Sequence, residues 1–336
     1  MRVLFATAPE RERLYNLVPI AWALRAAGHE VQIAGRRDFT PVINRAGVVA
    51  IELDDAGHAA ADSRSVDDLI GHARRWAPDL IVWDELMPAA PVAARVAGVP
   101  SVRVLTGADE PVVTADGFRR RMGADFGRFG LTADQGLVEG EATLDPTPRS
   151  LRPPGAGDHL AVRFVPYAGP AEVAAWLRRS PRRPRLCLAS VTSEALATVF
   201  GAVAALDVEV VCTTGTAGLP AGAAVPDNVR PVESVAWSPL LSTCSAVVHG
   251  GGASQALAAV SHRLPQLVVG PETGLVTRIE RAGAALTARA DISSAVTRLL
   301  EDEALRAAAD RLGEELSQAP APAGLVAELT GLARSF

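Results

Sequence analysis

The strongest constraint on this chain is an alternation repeated along its length: a short apolar run, a helical stretch stopped by glycine, then another short apolar run. The first 36 residues set it out. Arg2–Thr7 reads as a strand, Ala8-Pro9-Glu10-Arg11-Glu12-Arg13 as a polar loop, and Leu14–Ala27 as a helix with Leu17, Ile20, Ala21 and Leu24 on one face. Gly28 stops the helix, and Val31–Ala34 is the next strand. Strand, helix and strand in this order make a right-handed parallel unit.

The pattern recurs. Val48–Leu53, Asp79–Trp83 and Val99–Leu105 are predicted strands, with helices over Val66–Trp76 and over Ala90–Ala97, the latter stopped by Gly98. Residues 106–157 carry few strand signals and are expected to hold one helix near Phe118–Phe129 and much loop. Gly169-Pro170, a helix through Trp176 and an Arg/Pro run over 178–185 read as a linker. A second series starts at Arg185–Ala189 and continues with strands Val208–Thr213, Val229–Val232, Ala246–His249 and Gln266–Val269. Helices are expected near 193–205, 253–261 and 273–282, then over 291–316 and 322–334 around a Pro-containing break. The fold class is therefore α/β, with two doubly wound, Rossmann-like parallel-sheet domains facing a cleft. The expected divisions are 1–168, a linker 169–184, and 185–336 with the tail helices. Ligands are expected at the strand C-termini.

Charge and cysteine content remove several function classes. All 33 basic residues are arginine, against 38 acidic ones, and the net charge is −5. A nucleic-acid partner would call for a basic stripe, so none is expected. No apolar stretch of membrane-spanning length occurs, so no membrane partner is expected, and Met1-Arg2-Val3-Leu4-Phe5 reads as a first strand and not as a signal peptide. Cys187, Cys212 and Cys244 are few, scattered and odd in number, which suits a reducing cytoplasm. His58, His72 and His159 have no ligand spacing, and Asp54-Asp55 and Asp67-Asp68 are not placed like a metal–diphosphate motif, so no metal is expected.

The most informative segment is Ser245-Ala246-Val247-Val248-His249-Gly250-Gly251-Gly252-Ala253-Ser254-Gln255. A buried strand ends at His249, three glycines permit close backbone approach, and a helix starts near Ala253. Unpaired N–H groups at a helix start suit phosphate oxygens. His249 is expected to donate a further hydrogen bond to a diphosphate. A tight turn with no ligand explains the spacing equally well. The segment matches neither the dinucleotide fingerprint nor the Lys-bearing phosphate loop.

Here the chain resembles a known family, the actinobacterial antibiotic glycosyltransferases that move deoxysugars from thymidine diphosphate (TDP) to macrolides and other polyketides. The resemblance is carried by Leu17-Val18-Pro19 and the run Ala21–Val31, by Pro78–Trp83, by Val92–Pro100, and by Arg163-Phe164-Val165-Pro166-Tyr167-Ala168-Gly169-Pro170. Pro226-Asp227-Asn228-Val229-Arg230 and Pro265-Gln266-Leu267-Val268 extend it. It implies the two-domain GT-B fold, with an acceptor-side N-terminal domain and a nucleotide-sugar-side C-terminal domain. No cofactor is implied beyond a nucleotide-diphosphate sugar as co-substrate, and metal independence follows.

The pattern also departs from the family. The general-base histidine expected after the first strand falls at Arg13, and a guanidinium cannot accept a proton near neutrality. It is suited to bind a phosphate or a carboxylate instead. Glu10, Glu12 and either Asp84 or its neighbour Glu85 are the carboxylates placed to replace the base, although Asp84-Glu85 reads more readily as a solvated pair. Of two consecutive histidines before the glycines, His249 stands and Gly250 replaces the second. The resemblance then assigns the diphosphate to His249, Gly250, Gly251, Gly252, Ala253 and Ser254. It assigns the nucleobase to Trp237, for which core packing is an equal reading, and the sugar hydroxyls to Glu272 beside Thr273. The chain is shorter than its kin, with losses expected at 54–78, 105–135 and 190–206.

Two functions follow. The first is inverting transfer of a deoxysugar from a TDP-sugar to a hydroxyl of a polyketide or macrolide aglycone, an enzyme of hexosyltransferase type. The second is a GT-B relative that has lost transfer and serves as an auxiliary partner or as a repurposed tailoring enzyme on a polyketide. Both leave room for a homodimer or a partner protein. A dehydrogenase is disfavoured, since no nicotinamide fingerprint follows the first strand.

Overall fold

The computed structural model describes residues 1–54, 63–107, 116–117, 120, 126–132, 134–215, 218–219, 224–288 and 291–336. The chain forms two compact units. One comprises Met1–Pro146, Gly155–Arg163 and Pro320–Phe336, and the other comprises Thr147–Pro154 and Phe164–Ala319.

The first unit is built on a parallel sheet of β1 (Arg2–Ala6), β2 (Glu30–Arg36), β3 (Val49–Leu53), β4 (Leu80–Asp84), β5 (Ser101–Val104), β6 (Ala142–Asp145) and β7 (Leu160–Ala161). Its order is β3-β2-β1-β4-β5-β6-β7. Phe5 pairs with Ile33 on one side and Val82 on the other, all inaccessible to water. Helices α1 (Arg11–Ala26), α2 (Thr40–Arg45), α3 (Ser63–Trp76), α4 (Ala89–Ala97) and α5 (Gln135–Glu139) follow their strands. Leu14, Leu17, Val18, Ile20, Ala21 and Leu24 give α1 its buried face. Gly28 at φ +86° and Gly98 at φ +68° take the left-handed conformation that ends α1 and α4.

Three expectations change here. Helix α1 begins at Arg11, so Glu12 and Arg13 lie in its first turn and not in a loop; Glu12 there suits the positive end of the helix dipole. Strand β6 lies inside the stretch read as loop, because buried Thr143 and Asp145 break its apolar signal. Of the helix expected near 118–129, residues 126–129 are helical, and 118, 119 and 121–125 lie outside the described residues.

The second unit is a parallel sheet of β8 (Arg185–Ala189), β9 (Glu209–Cys212), β10 (Val229–Pro231), β11 (Ala246–His249), β12 (Gln266–Val268) and β13 (Ala285–Thr287), in the order β10-β9-β8-β11-β12-β13. Its helices are α6 (Ser193–Val203), α7 (Trp237–Leu241), α8 (Ala253–Ser261), α9 (Gly274–Arg281), α10 (Ile292–Glu301) and α11 (Glu303–Gln318). Strand β13 and helix α7 are both too short to show a period in the sequence. The expected tail helix is two helices, divided at Asp302, whose carboxylate accepts from the Ala304 and Leu305 N–H groups and caps the second. The helix expected through Trp176 contracts to a 3-10 turn over Ala175–Arg178, ahead of Pro181 and Pro184. The last helix, α12 (Val326–Ser335), belongs to the first unit, and the Pro322–Leu325 turn before it packs on α1.

Each sheet reverses its winding once. In the first unit this happens between β1 and β4, and in the second between β8 and β11. Such switch points open a crevice at the strand C-termini, where ligands of doubly wound sheets bind. Both sequence-predicted sites fall there.

Candidate active site

At the first switch point the chain leaves β1 at Thr7-Ala8 and β4 at Asp84-Glu85, and Thr106 follows β5. Asp84 is wholly buried. Its Oδ2 accepts from the Ala8 N–H at 2.7 Å and its Oδ1 from the Leu86 N–H at 2.8 Å. Burial pushes its carboxyl up from the ordinary range, against those two donors and Arg13. Asp84 therefore shapes two loops. The solvated Asp84-Glu85 pair of the sequence reading is corrected, and with it Asp84 as a replacement base.

Glu85, weighed with Asp84 as a replacement base but read more readily as solvated, is buried and is the centre of the cluster. Its Oε1 accepts from Arg13 Nη1 at 2.5 Å and from the Thr106 hydroxyl at 2.5 Å; its Oε2 accepts from the Thr106 N–H at 3.0 Å. Arg13 Nη1 also donates to Thr106 Oγ1 at 2.8 Å, and Arg13 Nε reaches Glu10 Oε2 at 3.4 Å. Burial pushes the Glu85 carboxyl up to about 7, while Arg13 and the Thr106 donors pull it down. Arg13 is 6% exposed. The carboxylate that this guanidinium binds is therefore one of its own chain, which corrects Arg13 as a cation held ready for a ligand. Glu10, the residue before α1, keeps its side chain 56% exposed, and Glu12 is exposed as well.

At the second switch point His249 is wholly buried, and burial lowers its pKa to about 4. The neutral ring is fully used. Nε2 meets Gln266 Oε1 at 2.9 Å, and Nδ1 accepts from the Gly251 N–H at 3.1 Å. The expected donation from His249 to a diphosphate is thus corrected: both nitrogens are committed inside the protein, and so is the Gly251 N–H. The donors left at the head of α8 are the Gly252, Ala253 and Ser254 N–H groups, with the Ser254 hydroxyl nearby.

The glycines have separate reasons. A Cβ at Gly250 would run into the Ser190 carbonyl, and one at Gly270 into the Gly250 carbonyl. Gly251 holds φ +98°, and its Cβ would stand 2.6 Å from the Pro271 carbonyl. Gly252 has φ −64°, so Gly251 is the left-handed position of the three. Gln255, in the first turn of α8, donates to Ser190 Oγ at 2.8 Å and ties the β8 loop to the glycine loop. Glu272, next to Pro271, is exposed beside this junction. Thr273 is spent on structure: its Oγ1 accepts from the Val276 N–H at 3.3 Å, capping α9, and reaches the Gly251 carbonyl at 3.4 Å. Trp237 is half-buried against the apolar core, which agrees with its packing reading. Among the described residues no group of three or more His, Cys, Asp or Glu could hold a metal, and no helix is long and apolar enough to cross a membrane.

Family profiles decide the lineage. Residues 55–191 match the N-terminal domain, and residues 197–332 the C-terminal domain, of erythromycin biosynthesis protein CIII-like proteins. The chain belongs to that family. It is 34% identical to tylactone mycaminosyltransferase of Streptomyces fradiae, over 99% of this chain and 92% of that one. The alignment spans 417 positions against 336 residues, so at least 81 positions fall opposite gaps in this CIII-like chain. Among solved structures it resembles the glycosyltransferase VinC in complex with DTDP, with TM-score 0.88, 32% identity and full coverage of both chains. It also resembles the spinosyn forosaminyltransferase SpnP, with TM-score 0.89, 32% identity and 99% coverage of each chain. The GT-B class expected from the sequence is therefore the fold of this CIII-like protein.

Proposed function

We propose that this protein is an inverting glycosyltransferase that moves a deoxysugar from a TDP-sugar to a hydroxyl of a polyketide aglycone. One observation carries the reading: the three N–H groups at Gly252, Ala253 and Ser254, unpaired among the described residues at the head of a nine-residue helix, at the switch point of a fold whose relative VinC is solved in complex with DTDP. The acceptor oxygen attacks the anomeric carbon, its proton passes to a carboxylate, and the bond to the β-phosphate oxygen breaks with its electron pair leaving on TDP. Negative charge grows on the diphosphate as that bond lengthens, so donors aimed there stabilise the transition state more than the ground state.

Glu10 is the base in this proposal. It is exposed, it precedes α1, and it adjoins Arg13, where the family's histidine is expected. Glu12, two residues further on in the first turn of α1, is the alternative carboxylate. Glu272 would hold sugar hydroxyls, and the exposed edge of Trp237 would meet the thymine. The sealed Arg13–Glu85 pair favours the second reading, a relative that has lost transfer.

Calorimetric titration with thymidine diphosphate and uridine diphosphate, with and without magnesium, tests the donor site. Saturable, magnesium-independent binding of thymidine diphosphate is expected, and none at millimolar concentration would end the reading. Turnover of a TDP-deoxysugar on a panel of polyketide aglycones then separates the two functions. Glu10→Gln is expected to lower kcat by roughly 10²–10⁴ with folding unchanged. Tight donor binding without transfer to any aglycone would instead establish the auxiliary role.

A further inference from the structure

The second unit has a cavity of about 560 Å³ at the opposite end of its sheet from the glycine loop. It is lined by the start of β8 at Arg185, the start of β9 at Val208-Glu209, strand β10, and the Arg/Pro run that follows Trp176. Arg185 and Ala189 lie at opposite ends of β8, so at roughly 3.3 Å per residue the cavity is about 13 Å from the switch point. It is therefore separate from the site described above.

Its lining is strongly cationic. Five arginines, Arg179, Arg182, Arg183, Arg185 and Arg230, face two carboxylates, Glu209 and Asp227. Arg185 uses Glu209, at 3.1 and 3.2 Å, and Arg183 pairs with Asp207 at 2.9 Å. Among the described residues, Arg179, Arg182 and Arg230 have no ion pair or side-chain hydrogen bond.

The lining is also built. Trp176 lies under two guanidiniums, with Arg185 at 5.4 Å and Arg230 at 5.0 Å from its ring centre. Arg185 is 2% exposed, and its Nε is buried with no hydrogen-bond partner among the described residues. Pro181 and Pro184 fix φ on both sides of Arg182-Arg183 and so limit the ordering that a ligand must impose. Guanidinium forks match phosphate oxygens two at a time, and the volume is that of a small-molecule site.

We propose that this cavity binds a small phosphate-bearing metabolite with at least two phosphate charges, at a site distinct from the sugar donor's. The inference does not rest on sugar transfer. Inorganic pyrophosphate is the probe, titrated calorimetrically into the full chain and into R182E/R230E, whose altered side chains are exposed and leave the core intact. Saturable binding is expected in the unaltered protein, weakened about tenfold or more in the variant by the loss of two charged donors. Pyrophosphate should also change the tryptophan fluorescence, and Trp176→Phe should remove most of that change. Absence of saturable heat overturns the proposal. So does an affinity unchanged in R182E/R230E, which would place the anion elsewhere, the head of α8 included.

Discussion

The two switch points share one topology and differ in what has been left available. In the first unit the polar groups are turned on one another. Arg13, Glu85 and Thr106 exchange hydrogen bonds, and Asp84 accepts from the Ala8 and Leu86 backbone. In the second, His249 and Gly251 satisfy one another, while the three N–H groups that follow face outward from the helix head. Chemistry in the first is limited to what remains at its rim, chiefly Glu10. The second keeps three backbone N–H groups, the proposed anion cradle, which side-chain drift does not erase. Among the described residues, the buried polar groups of the first crevice are thus paired with one another, and the N–H groups heading α8 are not.

The largest expected effect breaks the closed site. Glu85→Ala leaves a buried guanidinium without its carboxylate and should cost about 3–5 kcal/mol in urea unfolding. Replacing both partners, R13M/E85L, should restore most of that stability, because the cost lies in the orphaned charge. Arg13→His orphans Glu85 in the same way, so it should destabilise the protein and not raise transfer to a macrolide acceptor. A stable, faster Arg13→His enzyme would show that the pair is not what closes this crevice.

The second test adds one methyl to the open site. Gly250→Ala drives a Cβ into the Ser190 carbonyl, a backbone atom that cannot rotate aside. A loss of about 3 kcal/mol is expected, at the upper end for overpacking, together with loss of nucleotide binding. Wild-type stability at position 250 would mean that the β8 loop yields easily.

What the sequence made legible, and what it hid, follows from the range of each interaction. Strand β4 could be read because all of its residues are buried and most are apolar. Helix α8 and strand β11 were bounded correctly because glycine punctuates them. The Arg13 clamp was invisible: its partners Glu85 and Thr106 lie 72 and 93 residues away, and charged side chains are seldom buried, so solvent was the natural reading of Asp84-Glu85. His249 was read as facing a ligand because its place at a strand end is local information. Its pairing with Gln266 depends on the register of β11 against β12, which no single segment contains.

A pH series sharpens the contrast through His249. In the unfolded chain the imidazole titrates near 6.5, whereas in the fold it stays neutral down to about 4. The unfolded state therefore binds more protons between these values. The stability contributed is complete above pH 6.5 and is lost as the pH falls toward 4, by about 3 kcal/mol in all. Urea midpoints of the wild type and of His249→Gln should converge over that window. Parallel curves would mean that the ring is not held neutral.

The smallest effect concerns Thr273, which joins α9 to the glycine loop. Its hydroxyl accepts from Val276 at 3.3 Å and reaches the Gly251 carbonyl at 3.4 Å, both long for hydrogen bonds. Thr273→Ala removes a cap and should cost about 1 kcal/mol, which lowers Tm by roughly 2 °C in a chain of this size. Thymidine diphosphate affinity should change less than about threefold, because the deleted group touches a carbonyl and none of the N–H donors at Gly252, Ala253 and Ser254. Differential scanning calorimetry with and without the nucleotide measures both quantities on one sample. A tenfold loss of affinity at near-normal Tm would show that the cradle is held in shape by this hydroxyl, and that close packing among Ser190, Gly250 and Gly270 is not enough to prebuild it.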